Sequence, residues 1–255
     1  MKRRGVALVA GAVVTVLLGA GIRFWPLPYV VLEPGPTVDT LGRHEGAQVI
    51  AVSGGKASDS AGQLRLTTVL VDTEVGLREA LEAWFDGERA VAPRSRVYPA
   101  GQSAEQVDRR NAEQFASSVR NAEKAALRVL GSPSGQVRIE IDVDEIGGPS
   151  AGLMLTLGII DKLTPADLTA GRIIAGTGTV DEAGAVGPIS GIPQKLFGAR
   201  AAGAELFLVP EANCAEAVRN AVPGLAMAKV ATVDEALAAV RTYVAGGAPA
   251  SCAAA

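Results

Sequence analysis

Two side chains in this sequence stand where covalent chemistry is feasible: Ser150, in Gly147-Gly148-Pro149-Ser150-Ala151-Gly152, and Lys195, in Gly191-Ile192-Pro193-Gln194-Lys195. A serine hydroxyl is a poor nucleophile until a neighbouring base takes its proton. The one histidine, His44, lies in a polar stretch far upstream, so a Ser-His-Asp arrangement has little to draw on and lysine is left as the candidate base. A free lysine titrates near ~10.4 and must be held roughly 3 pH units lower to accept a proton at neutrality, at a cost of about 4 kcal/mol to its ammonium. Ile192, Pro193, Leu196 and Phe197 supply apolar neighbours. Pro193 fits the first turn of a helix, whose positive end also favours the neutral amine.

The elements that must position these groups are legible around them. Val137, Ile139, Ile141 and Val143 alternate with Arg138, Glu140, Asp142 and Asp144, the period of a half-buried strand. Ala151 to Leu163 is almost unbrokenly apolar and long enough for a buried helix. Ser150 therefore sits where a strand turns into a helix, with Gly147, Gly148 and Ala151 as its supporting neighbours. Free N–H groups and the positive helix end are suited to a developing oxyanion there, and the glycines leave room for a substrate carbonyl. The same turn also fits Ser150 as an ordinary helix cap.

Residues 171–210 add a Gly176-Thr177-Gly178 hairpin, then Gly187-Pro188-Ile189-Ser190-Gly191-Ile192 leading into Lys195. With Pro149-Ser150-Ala151-Gly152 upstream, this order and spacing resemble the proteolytic domain of the Lon peptidase family. The resemblance implies an α+β fold of layered sheets and helices, with Ser150 as nucleophile and Lys195 as general base. It also implies a Thr177 hydroxyl that orients the lysine amine. Many Lon enzymes carry an acidic residue three positions before the serine; here it is Gly147. The Gly-Gly-Pro-Ser form is similar to the membrane-anchored, ATPase-free Lon-like peptidases of bacteria. Those usually hold a PDZ domain between the long helix and the strand before the nucleophile, where this chain has only Gly131-Ser132-Pro133-Ser134-Gly135. The resemblance further implies ring assembly, as a hexamer.

Composition limits the rest. The chain has 255 residues and a net charge of −3, and its longest basic run is Lys2-Arg3-Arg4, so it has no electrostatic footprint for nucleic acid. No phosphate-loop motif occurs that would hold ATP, and no cofactor is expected. Val6 to Ile22 carries no charge, follows the basic tip and precedes Arg23, Phe24, Trp25 and Tyr29. That pattern predicts a single transmembrane signal-anchor with its N-terminus in the cytoplasm and residues 26 onward outside. A cleaved signal peptide, cut near Gly19-Ala20-Gly21, is the competing reading. Cys214 and Cys252 are the only cysteines, and an oxidising compartment makes a disulfide the expected state. No Cys/His cluster points to a metal.

Along the chain this predicts a tip and anchor (1–25), an N-terminal part with strands and a long helix (26–130) and the linker at 131–135. A catalytic part (136–245) and a disulfide-tethered tail (246–255) follow. Pro26, Pro28, Pro34 and Pro36 predict an extended exit from the membrane, and 88–101 reads as loop. Strands are expected over 48–52, 63–71, 172–180, 205–209 and 226–230, and helices over 76–84, 103–130 and 233–244, beside the Lys195 helix and a short one after Pro210. The function expected is a membrane-anchored, ATP-independent serine endopeptidase acting on proteins or peptides outside the cytoplasm. A phosphate-binding, kinase-like enzyme or a non-catalytic quality-control protein on the same fold are the alternatives.

Overall fold

The computed structural model describes residues 5–6, 9–13, 27–131, 137–143 and 148–252. The basic tip, most of the apolar run, Phe24, Trp25, Gly147 and most of the linker lie outside the described residues. Residues 5–6 and 9–13 are helical, and no helix among the described residues is long and apolar enough to cross a membrane.

In chain order the elements are β1 (Tyr29–Asp39), β2 (Arg43–His44), β3 (Ala47–Gln48), β4 (Ile50–Ser53), β5 (Gln63–Asp72), α1 (Leu77–Phe85), β6 (Ala90–Pro93) and α2 (Ala104–Val129). There follow β7 (Arg138–Ile141), α3 (Gly152–Leu163), β8 (Ile173–Gly176), β9 (Thr179–Val180), β10 (Val186–Gly187) and α4 (Ile192–Ala201). The chain finishes with β11 (Leu206–Pro210), α5 (Cys214–Arg219), β12 (Ala226–Val230) and α6 (Val233–Val244). Two compact units result, one from residues up to 33 with 70–101, the other from 34–69 with 102 onward.

In the smaller unit, Tyr29 to Leu32 pair antiparallel with β6. Helix α1 packs Ala80 and Ala83 against Val31, Val75 and Val91. The proline-flanked exit is thus a strand, because Tyr29-Val30-Val31-Leu32 is β-prone and finds a partner within the stretch read as loop.

The larger unit is a mixed α+β domain. Its sheet runs β12-β11-β8-β5-β1, and β12, β11, β8 and β5 are mutually parallel. Parallel strands are stable when helices cover both faces, and alternation along the strands divides the core accordingly. Ile174, Leu206, Leu208, Ala228 and Val230 face a core shared with α2, α3 and α6. Ala175, Phe207 and Val209 face a second core with Ile192, Leu196 and Ala199 of α4 and Ala217 of α5. Helix α3 is buried all round, which is why its sequence shows no polar face. Helix α2 begins with the capping box expected from Ser103 and Gln106, and Phe115, Val119, Ala122, Ala126 and Val129 form its packed stripe. The expected strand over 172–180 is broken at Thr177-Gly178, after which β9 turns away to pair with β10. That break brings the strand end to the turn that carries Ser150.

Candidate active site

Ser150 lies in a single 3-10 turn, Pro149–Ala151, that runs into α3. The residue capping α3 is Ala151, with no side-chain cap, so the Ser150 hydroxyl is not engaged in closing the helix. The turn is fixed through its carbonyls. Ser150 O accepts from the Gly178 N–H at 3.0 Å and from the Thr177 hydroxyl at 3.2 Å, and the Ser118 hydroxyl donates to Pro149 O at 3.1 Å. The Leu153 N–H returns a bond to Gly178 O at 3.1 Å. Gly152 admits this closeness, since a Cβ there would meet Ser118 Oγ at 2.9 Å and Val180 N at 3.1 Å. Gly148 has φ 85°, and its N–H donates to the Asn111 carbonyl at 3.0 Å.

Lys195 comes from the opposite face of the sheet. Gly191, at φ 79°, caps α4 in the left-handed conformation that a side chain would strain, and a Cβ there would meet Val69 Cγ2 at 2.8 Å. Pro193 follows within the first turn, so the amine rises from the N-terminal turns of α4. It is 3% exposed, donates to the Thr67 carbonyl on β5, and reaches Ser150 Oγ at 3.2 Å. Burial pushes its pKa down from the ordinary 10.5 to about 8. The Thr177 hydroxyl, which the resemblance implies on the lysine amine, is bonded to the Ser150 carbonyl, and Thr67 O takes the orienting position.

A second layer holds the turn that presents the lysine. The buried Asn213 side chain accepts from the Ile189 N–H and donates to the Ile189 carbonyl, both at 2.9 Å. The next residue, Cys214, is disulfide-bonded to Cys252, and the tail runs back along the sheet edge with the Lys229 N–H donating to Ala250 O at 2.8 Å. Beside the Ser150 turn lies a cavity of about 140 Å³ lined by Gln114, Ser117, Ser118, Asn121, Pro149, Thr179 and Val180. Among the described residues no cluster of three His, Cys, Asp or Glu side chains is placed to hold a metal ion.

With an alcohol and a buried amine in contact on this scaffold, similarity to known proteins becomes informative. Residues 101–242 match the Lon protease (S16) C-terminal proteolytic domain, more than half of the chain. The chain belongs to this family. As relatives of the Lon domain, a "Lon protease 2" of Herpetosiphon aurantiacus is 36% identical over 104 residues, covering 39% of this chain and 12% of that protein. A "Lon protease 2" of Bacillus subtilis is 31% identical over 116 residues, 44% of this chain and 20% of that protein. The "Lon protease" of Haemophilus influenzae is 36% identical over 93 residues, 35% of this chain and 11% of that protein. The alignments thus span a fifth or less of each relative. Ser150, Thr177, Lys195 and Asn213 all fall within the matched Lon stretch, and Thr67 lies before it. Sequence reasoning missed Thr67 and Asn213. The first acts through its backbone and left no signal; the second was visible only as a polar residue after Pro210, next to a cysteine.

Proposed function

We propose that this chain is a serine endopeptidase working through a Ser150–Lys195 dyad, without ATP. The observation that carries the reading is the 3.2 Å contact between Lys195 Nζ and Ser150 Oγ in a setting that lowers the lysine pKa to about 8. The neutral amine takes the Ser150 proton as Oγ attacks a peptide carbonyl. The ammonium so formed protonates the leaving amine, and water, deprotonated by the same lysine, hydrolyses the acyl-enzyme. The Ser150 N–H is the first candidate oxyanion donor. The Gly148 N–H contributes only if it leaves the Asn111 carbonyl. The cavity beside Pro149 has room for one substrate side chain next to the reacting serine.

The same reading takes the charge-free run Val6 to Ile22 as a membrane anchor, with the catalytic domain outside the cytoplasm and ring assembly, as a hexamer, following the family resemblance. Support for the outside placement comes from the Cys214–Cys252 disulfide. A phosphate-binding reading is weakened by the engagement of the Gly148 N–H and by a buried lysine amine already bonded to the Thr67 carbonyl and Ser150 Oγ. The test is cleavage of a fluorogenic peptide library by wild type and Ser150→Ala. The expected result is loss of cleavage in the variant with circular dichroism and Tm retained; undiminished cleavage rejects the nucleophile.

A further inference from the structure

The smaller unit carries an apolar surface that the peptidase reading does not use. On α1, Leu77 is 41% exposed, Leu81 51%, Trp84 73% and Phe85 84%. At a helical turn of about 100° per residue these four fall within an arc of roughly 100°. Ala80 and Ala83 face the interior on one side of that arc, and the Arg78–Glu82 ion pair borders it on the other. A helix that packs only two alanines inward and turns Leu, Leu, Trp and Phe outward has its apolar face reversed relative to a helix in water.

The place of α1 in the chain identifies what meets this face. The Leu27 N–H donates to the Val75 carbonyl at 3.1 Å, two residues before α1 begins. Leu27 is five residues past Ile22, where the charge-free run ends, and five residues reach at most about 17 Å. The start of α1 is therefore tethered close to wherever that run leaves the bilayer, and the helix itself is only about 14 Å long. We propose that the Leu77, Leu81, Trp84 and Phe85 face of α1 lies in the interfacial layer of the bilayer that holds the anchor, so that the smaller unit rests on lipid. This rests on the membrane-anchor reading.

Lipid fits the face better than a protein partner. Four side chains on one short helix fall far below the roughly 1,600 Å² of a stable protein interface, whereas a bilayer needs no complementary surface. Trp, Phe and Leu on one face of a helix with charged residues alongside is the composition of an interfacial helix. Residues 70–101 hold Arg78, Arg89, Arg94 and Arg96 against Asp72, Glu74, Glu79, Glu82, Asp86 and Glu88, so contact is driven by apolar insertion and requires no anionic lipid.

Trp84 is one of two tryptophans, so Trp25→Phe leaves it as the sole reporter. The full chain with that change is reconstituted into phosphatidylcholine vesicles with or without brominated phosphatidylcholine. Quenching of Trp84 emission at least two-fold by the brominated lipid is expected. Adding Leu81→Glu should remove most of that quenching while peptide cleavage in detergent stays unchanged. Quenching by aqueous iodide but not by brominated lipid means a face open to water and overturns the proposal. Shielding from both means coverage by protein, a second copy included, and overturns it equally. Alkaline carbonate extraction reports the anchor separately: release of the chain from vesicles rejects the anchor whatever Trp84 shows.

Discussion

At Lys195, burial and function pull in the same direction. An amine 3% exposed and pushed down to about 8 is neutral in roughly one molecule in ten at pH 7, against about one in three thousand for a lysine at its ordinary value. Because the folded pKa lies below the unfolded one, the ammonium destabilises the fold below pH 8, and this penalty is relieved as pH rises from about 8 to 10.5. Replacing the lysine by methionine keeps the stem and removes the charge. Lys195→Met is therefore expected to melt at a higher temperature than wild type at pH 6.5, with the gap narrowing at pH 9.5. Differential scanning calorimetry at the two pH values checks the sign; a variant less stable at pH 6.5 than wild type would show that the lysine's bonds outweigh its buried charge.

Among the elements, the turn from β10 into α4 decides whether the amine meets the serine. Asn213 holds that turn with one accepted and one donated bond to Ile189. Asn213→Asp preserves shape but sets a carboxylate oxygen against the Ile189 carbonyl. It should lower kcat about tenfold or more with KM nearly unchanged and displace the acidic, rising limb of the pH profile that the lysine sets; a loss confined to Tm would reduce the residue to a packing role. Such clamps are hard to read from a sequence. The buried helix α3, the capped α2, the positions of strands β5, β11 and β12 and the Ser150 and Lys195 motifs were legible because each rests on a local pattern or a motif, whereas the parallel pairing of the strands was not. Strand β1 was hidden by its prolines and by a partner some 60 residues away, β6. The Thr67 carbonyl was hidden because any residue on β5 could supply it, so side-chain identity carries no trace of the role. Thr177 was singled out by the family resemblance, but its partner was not legible, since whether its hydroxyl reaches the amine or the Ser150 carbonyl depends on the break between β8 and β9.

Across the larger unit, the fold brings Ser150 and Lys195 from helices on opposite faces of one sheet and joins them at the end of β8. The tail beyond α6 closes the second core, with Cys214 and Cys252 packed beside it. The bridge closes a separation of 38 residues, which the chain-entropy view values at about 3–4 kcal/mol. Cys252→Ser should lower Tm by several degrees and expose residues after α6 to trypsin or carboxypeptidase, as followed by intact-mass analysis. An unchanged Tm would mean that the tail contributes only its contacts along β12. The pairing of Ser150 with a neutral Lys195 is tested most directly by an acylating active-site probe. The modified residue is located by mass spectrometry and the labelling rate is followed from pH 6 to pH 10. Label on Ser150 alone, at a rate that climbs tenfold per pH unit, levels off near pH 8 and collapses in Lys195→Met, is the predicted result. Label on another residue, or a Ser150 rate indifferent to pH and to loss of the lysine, would contradict it.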